Sequence, residues 1–325
     1  MRLTALVSAA LIGLALAQSR SEPLVLVGTV ELPEIEGRID HLAFDPERSH
    51  LFVAALGNNS VEVIDTRLDK HLKHLPGFEE PQGIAFLADA QAVAIANGQG
   101  PGAQMIDAVG FNPMRAIRLG DDSDNVRYDA AAQRLYVGYG RGALAAVDPA
   151  TGRVIARVPL AGHPESFQLE SHGARIYVNV PSAGHIAVVD RTTMRVAATW
   201  PVTTAHANYP MALDEDGKRL FAGCRRPAVV LVYDTSSGKQ VSSFPIVGDT
   251  DDLFFDAARK RLYVTGGDGF VDVFSTDSAK YEHLAHIATA AGARTSLFVT
   301  QQSRLYVAIP HRGGQRAGVQ VFEAR

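Results

Sequence analysis

Short apolar runs return along this chain at nearly constant intervals. Leu51-Phe52-Val53, Leu135-Tyr136-Val137, Ile176-Tyr177-Val178, Leu220-Phe221-Ala222, Leu262-Tyr263-Val264 and Leu305-Tyr306-Val307 are variants of one motif, with Ala94-Ile95 a degenerate version of it. Taking Phe52, Ala94, Tyr136, Tyr177, Phe221, Tyr263 and Tyr306 as equivalent, the steps are 42, 42, 41, 44, 42 and 43 residues. The stretch from Ser123 shows what one period holds. Apolar runs at 125–128, 135–139, 143–147 and 154–160 are separated by clusters of Asp, Ala, Gly, Pro and Thr, which read as four strands joined by turns. Away from the N-terminus no window of helical length has a clean 3.6-residue period. Seven repeats of four short strands predict an all-β, seven-bladed propeller built from four-stranded antiparallel blades.

The last repeat stops after its third strand, 319–322, at Arg325. Residues 24–30, an apolar run near the other end, are expected to supply the missing fourth strand and close the ring without open edges. About four large apolar side chains buried there would contribute roughly 6–12 kcal/mol. An Asp closes the third strand in five repeats: Asp65, Asp107, Asp148, Asp190 and Asp234. Carboxylates at such positions bond turn amides, so these five are structural.

Composition narrows the setting. Residues 1–17 combine Arg2, an apolar run and Ala15-Leu16-Ala17, the pattern of a secretory signal cleaved near Ala17. Residues 18–325 are then expected to form one propeller domain, periplasmic or secreted and monomeric, with no transmembrane segment in the mature chain. The single cysteine, Cys224, excludes an internal disulfide and reads as a small apolar residue ending a strand. A net charge of −4 without a long basic run gives no electrostatic footprint for nucleic acid, and stacking aromatics near the funnel are few, so no nucleic-acid partner is expected. Phosphate-loop, dinucleotide and paired-cysteine motifs are absent from the sequence.

Pro81-Gln82-Gly83-Ile84-Ala85, Asp256 with Arg261-Leu262-Tyr263-Val264-Thr265, Val63-Ile64-Asp65-Thr66, and Asp234-Thr235-Ser236-Ser237-Gly238-Lys239-Gln240-Val241 together resemble the YVTN-repeat, or YncE-like, propeller family, relatives of the WD-repeat propellers. The resemblance covers essentially the whole mature chain. It implies the fold and leaves the role open, since such propellers include scaffolds and, among related folds, metal-dependent lactonases and lyases.

Departures from the repeat mark the candidate site. In a propeller the loops leading into the first strands share one face, the funnel. Only blade 2 keeps Pro-x-Gly there. Four others carry a carboxylate: Asp40, Asp124, Glu165 and Asp251. Clustered carboxylates require a cation, shared protons or arginines, so these four are the candidate ligands of one divalent cation, Ca²⁺, Mg²⁺ or a transition metal. Four of the eleven histidines fall on the same face, His41, His163, His206 and His311, and are the candidate bases or nitrogen ligands. The others, including His71, His74, His283 and His286, are expected on solvated surface. Arg38, Asn125, Tyr209, Arg225, Asp252, Arg294 and Arg312 are the candidate ligand-binding residues, with the arginines suited to a small anionic ligand or to acidic groups of a protein partner.

Two readings follow: a non-catalytic module that binds a small ligand or a protein through the funnel, and a metal-dependent enzyme of lactonase, hydrolase or lyase type. They differ in one geometric respect. Convergence of carboxylates and imidazoles favours the metal; carboxylates paired off by arginines favour the module.

Overall fold

A computed structural model describes residues 22–325, so the signal segment expected over 1–17 lies outside the described residues. Seven four-stranded antiparallel sheets form the propeller. Blade 3 is representative, with strands Ser123–Asp129, Arg134–Tyr139, Ala143–Asp148 and Arg153–Pro159 in that order from the centre outward. The blade that closes the ring combines Ser296–Val299, Arg304–Ile309 and Gly318–Ala324 with Leu24–Glu31, which pairs antiparallel to the last of these.

The closing strand is less buried than its sequence suggests. Leu24, Val30 and the following Leu32 are inside, but Leu26 and Val27 are 47% and 44% exposed. Both lie on the outermost strand of the blade, where a register shift between Leu26 and Gly28 leaves Val27 as an extra residue without a cross-strand partner.

The repeated motif supplies the core. Seven apolar clusters are described, and its aromatic residue, Phe52, Tyr136, Tyr177, Phe221, Tyr263 or Tyr306, is buried within one of them. The tyrosines keep a polar tip satisfied: the Tyr177 hydroxyl donates to Glu170 Oε1 at 2.7 Å and that of Tyr263 to Asp256 Oδ2 at 3.1 Å. Arginine at the head of the motif braces the same turn, as where Arg175 Nη2 stands 2.6 Å from Glu170 Oε1. The third-strand aspartates act as expected. Asp190 Oδ1 accepts the amides of Thr192 and Thr193, and Asp234 Oδ1 those of Ser236 and Ser237.

Cys224 is fully buried in the strand Arg219–Arg226, and burial pushes its thiol up to about 12, which makes it an inert packing residue. Among the described residues no helix is long and apolar enough to cross a membrane.

Candidate functional site

Backbone irregularities at the heads of the first strands aim the funnel side chains. The ladder of blade 3 jumps from Ser123 to Val126, and that of blade 6 from Thr250 to Asp252. Asp124, Asn125 and Asp251 occupy these bulges, a device that re-aims side chains at a sheet rim. The preceding residues, Asp122 and Asp249, take left-handed backbone with φ of 57° and 52°. Their carbonyls accept the amides of Gly140 and Gly267 from the loops between second and third strands, at 2.9 and 3.0 Å. Blade 2 keeps its glycine for a different reason. A Cβ on Gly83 would lie 1.9 Å from the Asp124 carbonyl oxygen, so the close approach of blade 3 forbids a side chain.

The funnel is a cavity of about 360 Å³ lined by Arg38, Gln82, Asp122, Asp124, His163, Glu165, Tyr209, Arg225, Asp251 and Arg294. On one side charges are matched. Arg225 Nη2 stands 2.7 Å from Asp251 Oδ1, its Nε donates to the Thr250 carbonyl at 2.8 Å, and its guanidinium lies 4.1 Å above the centre of the Tyr209 ring. Arg294 Nη1 lies 3.1 Å from Asp249 Oδ1, and its Nε lies 3.6 Å from Asp251 Oδ2. Burial pushes the Asp251 carboxyl up to about 6, against the pull of Arg225. Arg38 Nη2 donates to Asp40 Oδ2 at 2.7 Å.

The opposite side is not matched. Asp124, His163 and Glu165 each offer one ligand atom, all within 4.8 Å of one another. Among the described residues no arginine forms an ion pair with Asp124 or Glu165; the arginine pairs of the funnel are those to Asp40, Asp249 and Asp251. Burial and the neighbouring Asp124 charge push the Glu165 carboxyl up to about 8. His163 donates from Nδ1 to the Gly140 carbonyl at 2.6 Å, and its Nε2 is turned toward Asp124 Oδ2 at 3.6 Å. Burial works against a charged His163, but Asp124 and the Gly140 carbonyl outweigh it and raise the imidazole to about 9.

Deeper in the channel His41 forms a second group. Its Nδ1 is 3.4 Å from Asp252 Oδ2, and its Nε2 is 3.7 Å from Asp40 Oδ1 and 3.4 Å from Asn125 Nδ2. Below them the channel is lined by Arg127, which is held over the Phe167 ring at 5.6 Å with its charge disfavoured by burial. Arg127 carries no motif. The only sign of it in the sequence is a charged residue inside a first strand, at a position that must face the channel.

Three expected site residues stand apart. His206 heads the blade 5 first strand but is exposed and outside the funnel lining. His311 is drawn outward by Glu36, with Nδ1 2.6 Å from Oε2. Arg312 is exposed in a small loop where its backbone pairs with Gln315. Of the four carboxylates expected as ligands, Asp40 and Asp251 lie outside the Asp124, His163 and Glu165 group, since Arg38 and His41 meet the charge of Asp40 and Arg225 and Arg294 that of Asp251.

Of the histidines expected on solvated surface, His71, His74, His283 and His286 do lie on outer strands, with His71, His283 and His286 exposed, but each of these rings also has an acidic partner. His71 and His74 contact the buried Glu62, and His283 and His286 contact the buried Asp272.

A larger hollow, about 810 Å³, opens at the turns of blades 3 and 4. Its charged groups satisfy one another: Arg191 Nη1 donates to Asp129 Oδ2 at 2.5 Å and its Nη2 to the Glu170 carbonyl at 2.6 Å. The smaller funnel is therefore the stronger candidate, since among the described residues it holds a buried carboxylate, Glu165, that forms no ion pair, beside an Asp124 whose charge is met by His163 alone.

No family model matches this chain, and no curated protein does. Solved structures do. Hydrazine synthase of Kuenenia stuttgartiensis is similar with a TM-score of 0.75 at 16% identity, over 85% of this chain and 93% of that one. A chain in a crystal structure of the mitotic checkpoint complex is similar with a TM-score of 0.79 at 13% identity, over 99% of this chain and 98% of that one. At such identities the likeness concerns the propeller fold alone.

Proposed function

We propose that this chain is an exported binding module of YVTN type whose funnel takes a small polar ligand, with Asp124, His163 and Glu165 receiving a divalent cation or a cationic group of that ligand. One observation carries this reading: three ligand atoms lie within 4.8 Å of one another in a pocket whose arginines are committed elsewhere. A buried carboxylate without an ion-pair partner, here Glu165, holds a proton or a cation, and the cation also displaces the proton of His163 beside Asp124. Glu165, pushed up to about 8, takes the proton near neutral pH and exchanges it for the cation. Arg38, Arg225 and Arg294 line the same cavity and keep further N–H donors for an anionic part of the ligand.

The metal-dependent enzyme remains the second reading, favoured by the Nδ1 contact of His163. A backbone carbonyl that fixes one ring nitrogen leaves the other, once a cation displaces its proton, as ligand or base, the arrangement found behind metal-bound histidines. The acidic corner could supply the cation site and His163 the proton transfer, with no further residue required from the displaced His206 or His311.

Elemental analysis of the dialysed protein, followed by titration of Ca²⁺, Mg²⁺, Mn²⁺ and Zn²⁺ against wild type and Glu165→Gln, tests the first reading. A cation-dependent melting shift that Glu165→Gln weakens at least tenfold in apparent affinity is expected. Equal titrations for both proteins would remove the acidic corner from the function. Turnover of lactone or carboxylate substrates that depends on the cation and is lost in His163→Ala would move the assignment to the enzyme.

A further inference from the structure

Every blade whose outer pair of strands is complete carries a register shift between its third and fourth strands. In blade 6, strands Phe270–Ser275 and His283–Ala288 pair Asp272 with His286 and Phe274 with His283, the shift falling between Val273 and Phe274. In a regular strand, residues three apart face opposite sides. The extra residue Leu284 brings His283 round to the face of His286, so both imidazoles meet Asp272.

Blade 1 repeats the placement. Its strands Ser60–Asp65 and Lys70–Pro76 pair Glu62 with His74 and Ile64 with His71, across the same shift. The other blades put Gln104 opposite Ala116, Ala145 opposite Arg157, Ala187 opposite Thr199 and Leu231 opposite Ser243. The seventh blade puts Gln320 opposite Thr29, so among the described residues only blades 1 and 6 combine a buried acid with two histidines here.

The two clusters differ in how the acid is used. In blade 1 each ring takes its own oxygen: His71 Nε2 is 2.8 Å from Glu62 Oε2, and His74 Nδ1 is 2.8 Å from Oε1. The Ser60 hydroxyl also donates to Oε1 at 2.6 Å, so that carboxylate is saturated by its own neighbours. In blade 6 both rings converge on a single oxygen. His283 Nε2 lies 2.9 Å and His286 Nδ1 2.6 Å from Asp272 Oδ1. The other oxygen, Oδ2, is held by the Val247 amide at 2.6 Å, which fixes the carboxylate plane. Phe270 stacks on His286 with ring centres 4.0 Å apart, and Phe274 lies 4.8 Å from His283, so both rings are oriented by packing.

We propose that Asp272, His283 and His286 form a binding site for a borderline-soft divalent ion, Zn²⁺ in particular, on the outer edge of blade 6. Three ligand atoms within 4.8 Å of one another are the full protein ligand set of an open zinc site, and the histidines, 47% and 46% exposed, leave the fourth position to water or an incoming group. The ring nitrogens need to spread from the carboxylate oxygen to about 3.3 Å, the separation that tetrahedral bonds of about 2.0–2.1 Å impose. As the ion enters, each neutral ring carries its one N–H on the nitrogen facing away from Asp272, leaving Nε2 of His283 and Nδ1 of His286 as the ligand atoms. Nitrogen-rich ligation selects Zn²⁺ or Cu²⁺ over Ca²⁺ and Mg²⁺. The site is independent of the funnel, which lies at the other end of the blade's strand order.

Zn²⁺ binding to the purified chain at pH 7.5, measured by equilibrium dialysis and calorimetry, decides the matter with three variants. The double variant His283→Ala with His286→Ala is expected to lose one equivalent. Glu165→Gln, which weakens only the funnel site, is expected to keep the equivalent that the blade 6 variant loses, and the double variant His71→Ala with His74→Ala to bind as wild type. Equal stoichiometry in wild type and the blade 6 double variant overturns the proposal. Should that variant fail to fold, the wild type suffices: Zn²⁺ should slow diethylpyrocarbonate modification of His283 and His286, mapped by mass spectrometry, at least tenfold. Unchanged rates at both residues would overturn it equally. Loss of the Zn²⁺ equivalent in Glu165→Gln alone would assign the ion to the funnel and sink the blade 6 site.

Discussion

Nδ1 of His41 stands 3.4 Å from Oδ2 of Asp252, so an imidazole from blade 1 neutralises a carboxylate carried by blade 6 across the head of the channel. The same oxygen accepts the Ser296 amide of the blade between them at 2.8 Å. Removing the ring strands a buried anion, and breaking a buried pair in this way costs about 3–5 kcal/mol. His41→Ala should therefore lower the free energy of unfolding by that amount in urea denaturation. A loss below about 1 kcal/mol, the scale of an exposed pair, would mean that water replaces the imidazole. The pH dependence has a definite sign. Burial disfavours a charged His41, yet Asp252 and Asp40 outweigh it and raise the ring from 6.5 to about 10. A folded value above the unfolded one means that the contribution is fully present below pH 6.5 and is lost as the pH rises through 10.

Glu165 bends the pH curve the same way by a different route. Its carboxyl is raised from 4.5 to about 8 by burial first and Asp124 second, so the folded state holds a proton that the unfolded state releases. Stability on this account is complete below pH 4.5 and declines as the pH climbs through 8. Glu165→Gln carries a neutral group at every pH and should flatten the decline between pH 5 and 8 in melting curves taken across that range. A saturating divalent cation should flatten it in the wild type as well, because the cation replaces the proton. Parallel curves for the two proteins without added metal would show that Glu165 titrates normally.

The fold was legible because burial between blades repeats seven times, and six of the seven repeats bury an aromatic at the same position, with Ala94 in its place in blade 2. The site was legible only in part. Asp124, Glu165 and Asp251 could be placed on the funnel because the register of the repeat fixes which residues head the first strands. The partners could not be read off, since Arg225 reaches Asp251 from a neighbouring blade and His311 is captured by Glu36 from a loop far away in sequence. The outer histidines were missed for a sharper reason. Their i, i+3 spacing suggests opposite faces of a strand, and only the extra residue at the bulge puts His283 and His286 on one face. Nothing in the residues around Leu284 announces that bulge; a comparison of all fourth strands with their third-strand partners would have been required.

Ring closure separates positions that the sequence makes look alike. Leu24 and Leu32 are completely buried, whereas Leu26 and Val27 face solvent on the same segment. Leu24→Ala and Leu32→Ala should each cost about 2–5 kcal/mol, the range for emptying a packed leucine site. Leu26→Ala and Val27→Ala should stay within about 0.5 kcal/mol. Deleting residues 24–32 leaves the strand Gly318–Ala324 without its outer partner and should give an insoluble or molten protein, read by loss of near-ultraviolet dichroism. A truncated chain that still melts cooperatively at the parent temperature would show that the seventh blade stands on three strands.

Gly83 links the backbone of one blade to the acidic corner of the next. The ladder of its strand jumps from Pro81 to Ile84, so Gly83 sits in the bulge and presses on blade 3. A Cβ there would approach the Asp124 carbonyl oxygen to 1.9 Å and the Asn125 Cα to 3.0 Å. Both are backbone atoms, which cannot rotate aside as a side chain would, so Gly83→Ala must push the two first strands apart. Overpacking of this kind costs about 1–3 kcal/mol. The displacement should also swing the Asp124 carboxylate away from His163 and Glu165, since it is the Asp124 peptide that moves. Gly83→Ala is therefore expected to lower both the urea midpoint and the apparent affinity of the funnel for divalent cations, although the substituted residue carries no ligand atom. A variant that loses stability but titrates the cation like wild type would show that the corner is positioned by blades 3 and 4 alone.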